Sequence, residues 1–193
     1  MTFTTQPLTA ATWPDLEAIF NARGCSVARS CWCMFYRKTG SVGWGEGDYA
    51  KAKEKNRKAL KSLADGGEQV GLVGYEDGVP CGWISFGPRE DFKRLANSTI
   101  MKPVDDQPVW SVICFVVPAE FRKQGVARRL LDAAVADCRK KKVKLLEGYP
   151  VDKEGRSADG SMWFGAKSMF DAAGFEEIAR RKATRPVVRL KVI

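Results

Sequence analysis

The segment EFRKQGVARRLL, residues 120–131, places a glycine among basic side chains where a predicted strand gives way to a helix. A helix N-terminus exposes unpaired N–H groups and carries about half a positive charge. Gly125 lets a ligand come close to the main chain, and the small Ala127 leaves room beside it. Four cations add positive potential to the turn: Arg122, Lys123, Arg128 and Arg129. Together these features predict a site for a diphosphate group.

The turn alone leaves a second interpretation open, which is an ordinary loop followed by a solvated basic helix start. Its pattern matches neither the phosphate loop G-x-x-x-x-G-K-S/T nor the dinucleotide pattern G-x-G-x-x-G. The sequence contains no histidine, which excludes Ser-His-Asp and Cys-His nucleophilic catalysis. Cys25, Cys31 and Cys33 lack the paired C-x-x-C spacing of a zinc site, so we predict no bound metal.

A buried strand must lead into this turn, and an amphipathic helix must follow it. The unbroken apolar run 109–117 predicts the strand, and the helix is predicted over 127–141. The inward side of that helix repeats at the spacing i, i+3, i+4, i+7 and comprises Ala127, Leu130, Leu131, Ala134, Val135 and Cys138. A further apolar segment, 143–151, predicts a second strand, and a right-handed crossover makes it parallel to the first.

The rest of the chain predicts more strands and helices around this unit. The turn signal Asp77-Gly78 indicates a hairpin within residues 70–87. The other predicted helices are one that starts after Thr12, one over 48–64 and one over 162–173. The segments predicted to have little regular structure are 25–47 and 91–108, and the closing strands are 175–181 and 186–193. The order of elements indicates an α/β fold with a mixed sheet in a single domain, 1–193.

Composition limits the function classes. The net charge of +9 suits an anionic ligand. Much of this charge lies on the predicted helix 48–64, which indicates a solvated face, and no nucleic-acid-binding signature is present, so the sequence does not favour nucleic acid as a partner. No apolar run approaches the roughly 18 residues that span a bilayer, and the N-terminus does not resemble a signal peptide. We therefore expect a cytoplasmic protein with no membrane segment.

The motif RKQGVA, residues 122–127, resembles the R/Q-x-x-G-x-G/A signature of the GCN5-related N-acetyltransferase (GNAT) superfamily. It stands where that family has it, between the fourth strand and the third helix. The hairpin YEDGVPCGWISFG, 75–87, is similar to the second and third strands of the family. The segment SMFDAAGFEEIARR, 168–181, is similar to its late helix and to the A-G-F entry into the sixth strand. The order of elements agrees from about residue 8 to the C-terminus.

The resemblance implies a mixed, mostly antiparallel sheet with a splayed parallel pair of central strands, flanked by helices. It also implies acetyl-CoA as co-substrate, held by the strand–helix–strand unit 109–151, with 25–66 on the acceptor side. The residues implied in cofactor binding are Phe115, Val116, Val117, Arg122, Lys123, Gln124, Gly125, Val126, Ala127 and Arg128. The thioester carbonyl would lie between the splayed strands and face a main-chain N–H near Phe115 or Val116.

The sequence departs from the family at the usual general acid. The family has a tyrosine four residues before the glycine of A-G-F, and this chain has Phe170 there, without an exchangeable proton. Trp163 stands where the family commonly has an asparagine. Tyr149, at the end of the fifth strand, is the nearest phenol by topology, and Glu147 is a candidate base through water, so these two are the predicted catalytic residues. The alternatives are a partly buried structural tyrosine and a solvated carboxylate.

The acceptor side is predicted from an aromatic segment. Trp32, Phe35 and Tyr36 would form an apolar or cation-attracting wall for the substrate. Acidic residues that could meet a cationic acceptor are Glu90, Asp91, Asp105 and Asp106, although each is also typical of a solvated turn. We expect an acetyl-CoA-dependent N-acetyltransferase acting on a primary amine of a small molecule. A protein acetyltransferase and a non-catalytic acyl-CoA-binding or sensor domain stay open, and exchange of the terminal strands between copies would give a homodimer.

Overall fold

The computed structural model describes residues 2–39, 49–153 and 162–193. In chain order the elements are β1 (Phe3–Pro7), α1 (Trp13–Asn21), α2 (Ser26–Cys31), α3 (Tyr49–Asp65), β2 (Gly71–Glu76), β3 (Val79–Pro88), α4 (Lys93–Ala96), β4 (Trp110–Val116), α5 (Val126–Lys140), β5 (Leu145–Gly148), α6 (Lys167–Ala172), β6 (Glu176–Lys182) and β7 (Arg185–Lys191). Single 3-10 turns follow β3 and β4. Within these ranges, no helix has the length and apolar character needed to cross a bilayer.

The seven strands form one sheet in the order β1-β2-β3-β4-β5-β7-β6. All neighbouring strands are antiparallel except the central pair β4 and β5, which is parallel. Helices α5 and α6 pack on one face of the sheet, and α1, α2 and α3 pack on the opposite face. The predicted fold class, a mixed and mostly antiparallel sheet with a parallel central pair between helices, is confirmed.

Strand β4 carries a bulge next to the point where the central strands separate. Ser85 of β3 pairs with Cys114, whereas Phe86 pairs with Val112, so Ile113 is the extra residue. A bulge bends a strand and re-aims its side chains. Ile113 and Cys114 accordingly face the same cluster of buried residues, on the side of the sheet away from α5.

The central strands diverge after a short pairing. Trp110–Val112 of β4 pair with Leu146–Gly148 of β5. Beyond this point the N–H of Phe115 donates to the carbonyl oxygen of Trp163 at 2.6 Å. Val151 forms a parallel bridge with Ala166, and its N–H donates to the Gly165 carbonyl at 2.8 Å. Residues 163–166 therefore occupy the gap between the splayed strands.

Helix α5 lies close to the sheet because two paired glycines lie beneath it. Gly74 of β2 pairs with Gly82 of β3. A Cβ on Gly82 would come 2.9 Å from Val126 Cγ1, and a Cβ on Gly74 would come 2.9 Å from Leu130 Cδ2. The missing side chains thus let the first turns of α5 approach the strands directly, which fixes the position of the helix N-terminus.

Three segments were predicted wrongly in part. The segment 25–47 contains α2, because the glycine-free stretch SVARSC forms a helix that ends at Trp32 in the left-handed conformation. Helix α6 begins at Lys167 and not at 162, because Gly165 has φ +77° and Ala166 is extended. The insert 91–108 also contains the single-turn helix α4. The predicted loop residues 40–47 and 154–160, together with Asp48 and Ser161, lie outside the described residues.

Candidate active site

A cavity of approximately 780 Å³ lies between the end of β4, the start of α5, the start of α2 and residues 162–169. We define its basic end by three lining cations, Arg122, Lys123 and Arg128. We define its aromatic end by three lining rings, Phe35, Tyr36 and Trp163. Of the predicted cofactor-binding residues, all except Gln124 line the cavity. The predicted diphosphate turn and the predicted acceptor wall are therefore parts of one continuous site.

The basic end is built on main-chain conformations that favour glycine. Gly125 precedes α5 with φ +77°, in the left-handed region, and Lys123 also has positive φ. The first main-chain bond into the helix joins Arg129 N–H to the Gly125 carbonyl at 3.0 Å, so the N–H groups of 126–128 precede the helical ladder. No atom lies within 4 Å of the position that a Cβ on Gly125 would take. This open space beside exposed amides fits a phosphate group.

Most cations of the turn are engaged by the protein itself. Arg122 donates to the carbonyls of Val117 at 3.0 Å and Gly24 at 2.7 Å, which ties the turn to the segment before α2. Arg128 pairs with Asp132 at 2.9 Å. Arg129 pairs with Glu76 at 2.8 Å, on the far side of the helix. Among the described residues Lys123 has no ion-pair or hydrogen-bond partner, so it is the side chain best placed to meet an anion.

The predicted main-chain oxyanion donor near Phe115 or Val116 is not available in this structure. The Phe115 N–H is held by Trp163, as described above. Alternate residues of a strand direct their main-chain groups to opposite sides, so the groups of Val116 point toward β3, with which it pairs. The main-chain groups of Val117 point to the same side as those of Phe115, into the gap between β4 and β5.

The two predicted catalytic residues lie outside the cavity lining, in a buried polar network. The Tyr149 hydroxyl donates to Glu147 Oε1 at 2.7 Å and lies 3.0 Å from Ser111 Oγ. Arg89 also donates to the Tyr149 hydroxyl and forms a 2.6 Å ion pair with Glu147. Arg189 pairs with the second Glu147 oxygen at 2.7 Å. The side chain of Glu147 is 1% exposed, so the solvated alternative does not apply.

Burial raises the pKa of Tyr149 well above its usual value, and the nearby Glu147 carboxylate adds to this effect. A phenol that is fully enclosed and hydrogen-bonded on several sides holds its neighbours in place. The catalytic role of Tyr149 and Glu147 stays a prediction, whereas their contacts support a structural role beneath β4 and β5.

Phe170, at the family's usual tyrosine position, is fully buried. Its ring packs against Phe115 and Phe175 at centroid distances of 6.2 Å and 5.0 Å. It lies so close to β5 that a Cβ on Gly148 would come 2.4 Å from Phe170 Cε1. Phe170 is therefore part of the hydrophobic core of this protein.

Gly148→Ala is expected to destabilise the fold by about 1–3 kcal/mol, because the new methyl group overlaps the Phe170 ring. Urea unfolding measures the loss. Phe170→Leu frees part of this space, so the double variant should be more stable than the sum of the single effects. Additive losses would show that the ring does not press on Gly148.

Two of the three residues of the predicted acceptor wall line the cavity, and their role in binding the acceptor stays a prediction. Phe35 and Tyr36 line the aromatic end together with Trp163. Trp32 does not line it, because its indole is 1% exposed and stacks on Trp13 and Phe20 in the core. Its left-handed main chain turns the side chain inward at the end of α2.

Four cysteines also line the cavity: Cys25, Cys31, Cys33 and Cys114. Burial raises the pKa of Cys31 to about 12. A hydrogen bond between Cys33 and Cys114 lowers the pKa of Cys33 and raises that of Cys114. In the described ranges no three Cys, Asp or Glu side chains form a group that could hold a metal ion.

The acidic residues considered for a cationic acceptor lie outside the cavity lining. Asp91 forms an ion pair with Arg37 at 3.4 Å. Asp105 pairs with Arg189 at 2.7 Å, and hydrogen bonding from that guanidinium lowers the Asp105 pKa. These carboxylates thus stabilise local structure.

Sequence reasoning named no site residue among Met162, Gly165 and Met169, which line the cavity, and it assigned residues 25–28 only broadly to the acceptor side. The structure places the stretch Gly24–Ala28, at the start of α2, in the lining near the basic turn. Its proximity to the basic turn depends on the Arg122 bond to Gly24, which joins residues 98 positions apart. The small side chains of Ser26 and Ala28 are the local signal that could have indicated a cavity wall.

A parallel strand–helix–strand unit whose glycine-led helix start opens into a cavity with an aromatic wall is a site that suits a phosphorylated ligand. The model of the Acetyltransferase (GNAT) family matches residues 29–154. The chain belongs to this family and is an acyltransferase. The resemblance to the GNAT superfamily that was inferred from the RKQGVA motif is confirmed.

Solved structures of the same fold agree over nearly the whole chain. PaiA N-acetyltransferase from Thermoplasma acidophilum, in complex with coenzyme A, is 15% identical, with 99% of each chain covered and a TM-score of 0.53. An N-acetyltransferase from Staphylococcus aureus Mu50 is 14% identical, with 100% of each chain covered and a TM-score of 0.54. The ribosomal-protein-S18-alanine N-acetyltransferase from Escherichia coli is 13% identical, with 99% of this chain and 94% of that chain covered and a TM-score of 0.50. No curated protein matches the sequence with statistical significance.

Proposed function

We propose that this protein transfers the acetyl group of acetyl-CoA directly to a primary amine of a small molecule. The observation that carries the proposal is the single cavity that joins the amide-lined start of α5 to the aromatic end. A donor held by its diphosphate at one end can thus present its acetyl group to an acceptor at the other. The coenzyme A complex of the Thermoplasma acidophilum enzyme, which has the same fold, supports this choice of donor.

The basic end would hold the donor through main-chain N–H groups of residues 123–127, with Lys123 as the available cation, because the Arg122 N–H already donates to the Ala119 carbonyl at 3.4 Å. The open space at Gly125 fits the approach of phosphate oxygens. The Val117 N–H, which faces the gap between β4 and β5, would donate to a carbonyl of the pantetheine arm, because the Val117 carbonyl already accepts from Arg122 at 3.0 Å. The thioester would then lie near the bulge at Ile113, next to the aromatic end.

The aromatic end favours an amine in its neutral form. The described lining residues include no carboxylate. An ammonium group would lose hydration there without gaining a counter-ion, so the surroundings lower the pKa of a bound amine. The neutral amine is the form that attacks a thioester, and positioning the two reactants close together supplies much of the rate.

Acetyl-CoA is expected to raise the melting temperature. At an acetyl-CoA concentration 100 times its Kd, binding to the folded state adds about 2.7 kcal/mol to the free energy of unfolding. For a chain of this size that is a rise of about 5–10 °C, since 1 kcal/mol corresponds to about 2–4 °C. Acetyl-pantetheine, which lacks the diphosphate, is the control ligand and should produce a much smaller rise. Equal rises in melting temperature for both ligands would contradict binding of the diphosphate at the basic turn.

A panel of small primary amines, with N-terminal peptides alongside, then tests the acceptor. Thioester loss that depends on a small amine supports the proposal. Turnover confined to peptides would instead favour a protein acetyltransferase, the activity that the Escherichia coli structure carries in its name. Binding of acetyl-CoA without turnover on either set would favour a non-catalytic acyl-CoA-binding domain.

A further inference from the structure

The described site lacks a hydrogen-bond donor at the places where sequence reasoning expected one. The Phe115 N–H is taken by the Trp163 carbonyl. Phe170 has no proton to offer, and the Tyr149 hydroxyl is enclosed by its own partners. Negative charge that develops on the thioester oxygen therefore needs another donor, and Tyr36 is the tyrosine among the residues that line the cavity.

The Tyr36 ring is held rigidly at the aromatic end. It makes edge contacts with Phe35 at 4.9 Å and with Phe164 at 5.5 Å between ring centroids. Its main-chain carbonyl accepts a hydrogen bond from the Arg94 N–H at 3.1 Å, which anchors the turn after α2 to α4. Phe164 follows directly on Trp163, the residue that fills the gap beside Phe115. The ring is thus fixed next to the place where the central strands separate.

The hydroxyl of Tyr36 is available to a ligand. Within residues 2–39, 49–153 and 162–193 it makes no hydrogen bond, in contrast to the Tyr75 and Tyr149 hydroxyls. The buried polar atoms that lack partners are on other residues, so this oxygen opens onto solvent. Tyr36 lines the cavity, and so do Cys31 and Cys114, the two thiols that interact electrostatically with its phenol, which places the hydroxyl at the cavity.

The surroundings keep this hydroxyl protonated. Burial raises the pKa of Tyr36 to about 12, opposed by the Arg185 guanidinium and supported by the thiols of Cys114 and Cys31. A thiol has an ordinary pKa near 8.5, so the phenol keeps its proton when a thiolate departs. It can therefore act as a hydrogen-bond donor and not as the acid that protonates sulfur.

We propose that Tyr36 is a catalytic residue whose hydroxyl donates a hydrogen bond to the thioester oxygen during acetyl transfer. This inference rests on the proposed function. The amine nitrogen forms a bond to the carbonyl carbon while the C=O electron pair moves to oxygen, where Tyr36 stabilises it. The pair then returns, the carbon–sulfur bond breaks, and the proton released by the amine passes through solvent to the departing thiolate. The products are the acetylated amine and coenzyme A.

The test uses acetyl-CoA labelled with carbon-13 at the thioester carbonyl, so it requires no knowledge of the acceptor. A hydrogen bond from Tyr36 lowers the carbonyl stretching frequency of the bound ligand, and Tyr36→Phe is expected to return it toward the value in an apolar solvent. Tyr75→Phe is the matched control, because it removes a buried hydroxyl bonded to Asp15 at 2.7 Å, outside the cavity lining. That variant should keep the wild-type frequency.

Turnover provides the second readout, measured as thioester loss with benzylamine and with water as acceptors. Tyr36→Phe should lower kcat about 10²–10³-fold, the usual loss for one oxyanion donor, with little change in the KM for acetyl-CoA. Identical carbonyl frequencies in wild type and Tyr36→Phe would overturn the role of Tyr36 while leaving the proposed function standing. Absence of any acetyl-CoA-induced rise in melting temperature in the wild type would overturn the proposed function and this inference with it.

Discussion

Gly125→Glu is expected to abolish acetyl-CoA binding while leaving the protein folded. The glycine has φ +77° and lines the basic end of the cavity, so the new side chain would project toward the phosphate groups. The carboxylate also adds a negative charge at a helix N-terminus that is proposed to attract anions. We expect the acetyl-CoA-induced rise in melting temperature to disappear, and calorimetric titration to detect no binding.

A control must separate charge at the site from strain in the main chain. Gly67→Glu matches the change closely, because Gly67 has φ +75° and its Cβ would also meet no atom within 4 Å. Gly67 follows α3 and is not part of the cavity lining. This variant should lose a similar small amount of stability, about 1–2 kcal/mol, and keep its affinity for acetyl-CoA. Unchanged affinity in a folded Gly125→Glu protein would refute the diphosphate site.

Glu147→Ala is expected to cause the largest loss of stability. The carboxylate receives ion pairs from Arg89 at 2.6 Å and Arg189 at 2.7 Å beneath the central strands. Removing it leaves two largely buried guanidinium groups without this counter-charge. Removing one partner of a buried ion pair usually lowers the free energy of unfolding by about 3–5 kcal/mol. Urea unfolding should show this loss, and the melting temperature should fall by about 6–20 °C.

Asp65→Ala is the matched control for the loss of a carboxylate. It removes an ion pair with Lys61 at 2.7 Å in which both side chains are at least 40% exposed. Such a pair contributes about 0.3–0.5 kcal/mol, so this variant should be nearly as stable as the wild type. Equal losses for the two variants would contradict the structural role of the Glu147 network. Tyr149→Phe separates this role from the predicted catalytic one, which requires turnover to fall by more than the folded fraction does.

The basic turn could be predicted from the sequence because its chemistry is local. The position of Gly125 at a helix start, and the apolar strand before it, are encoded within about 20 neighbouring residues. The family resemblance then supplied the type of sheet, mixed and mostly antiparallel with a parallel central pair, which periodicity alone does not determine. The same local information located α5 to within one residue of its observed start.

The acid–base chemistry could not be predicted, because it depends on contacts between distant segments. Tyr149 and Glu147 look accessible at a strand end, yet Arg89 and Arg189, which are 58 and 42 positions from Glu147, enclose them. Trp32 resembles a pocket residue in sequence and enters the core because its main chain is left-handed. The Phe115 bond to Trp163 likewise requires the path of the chain after β5, which no pattern indicated.

The glycine pair beneath α5 has a consequence for the choice of donor. Gly74 and Gly82 determine how deeply the helix lies on the sheet, and its first turn is the proposed anchor for the diphosphate. The bulge at Ile113, where the reacting carbonyl would lie, belongs to the sheet itself. The separation of anchor and bulge is therefore a fixed length that the pantetheine arm must match. Under the proposed function, two glycines that never touch the donor therefore set the length of ligand that the site accepts.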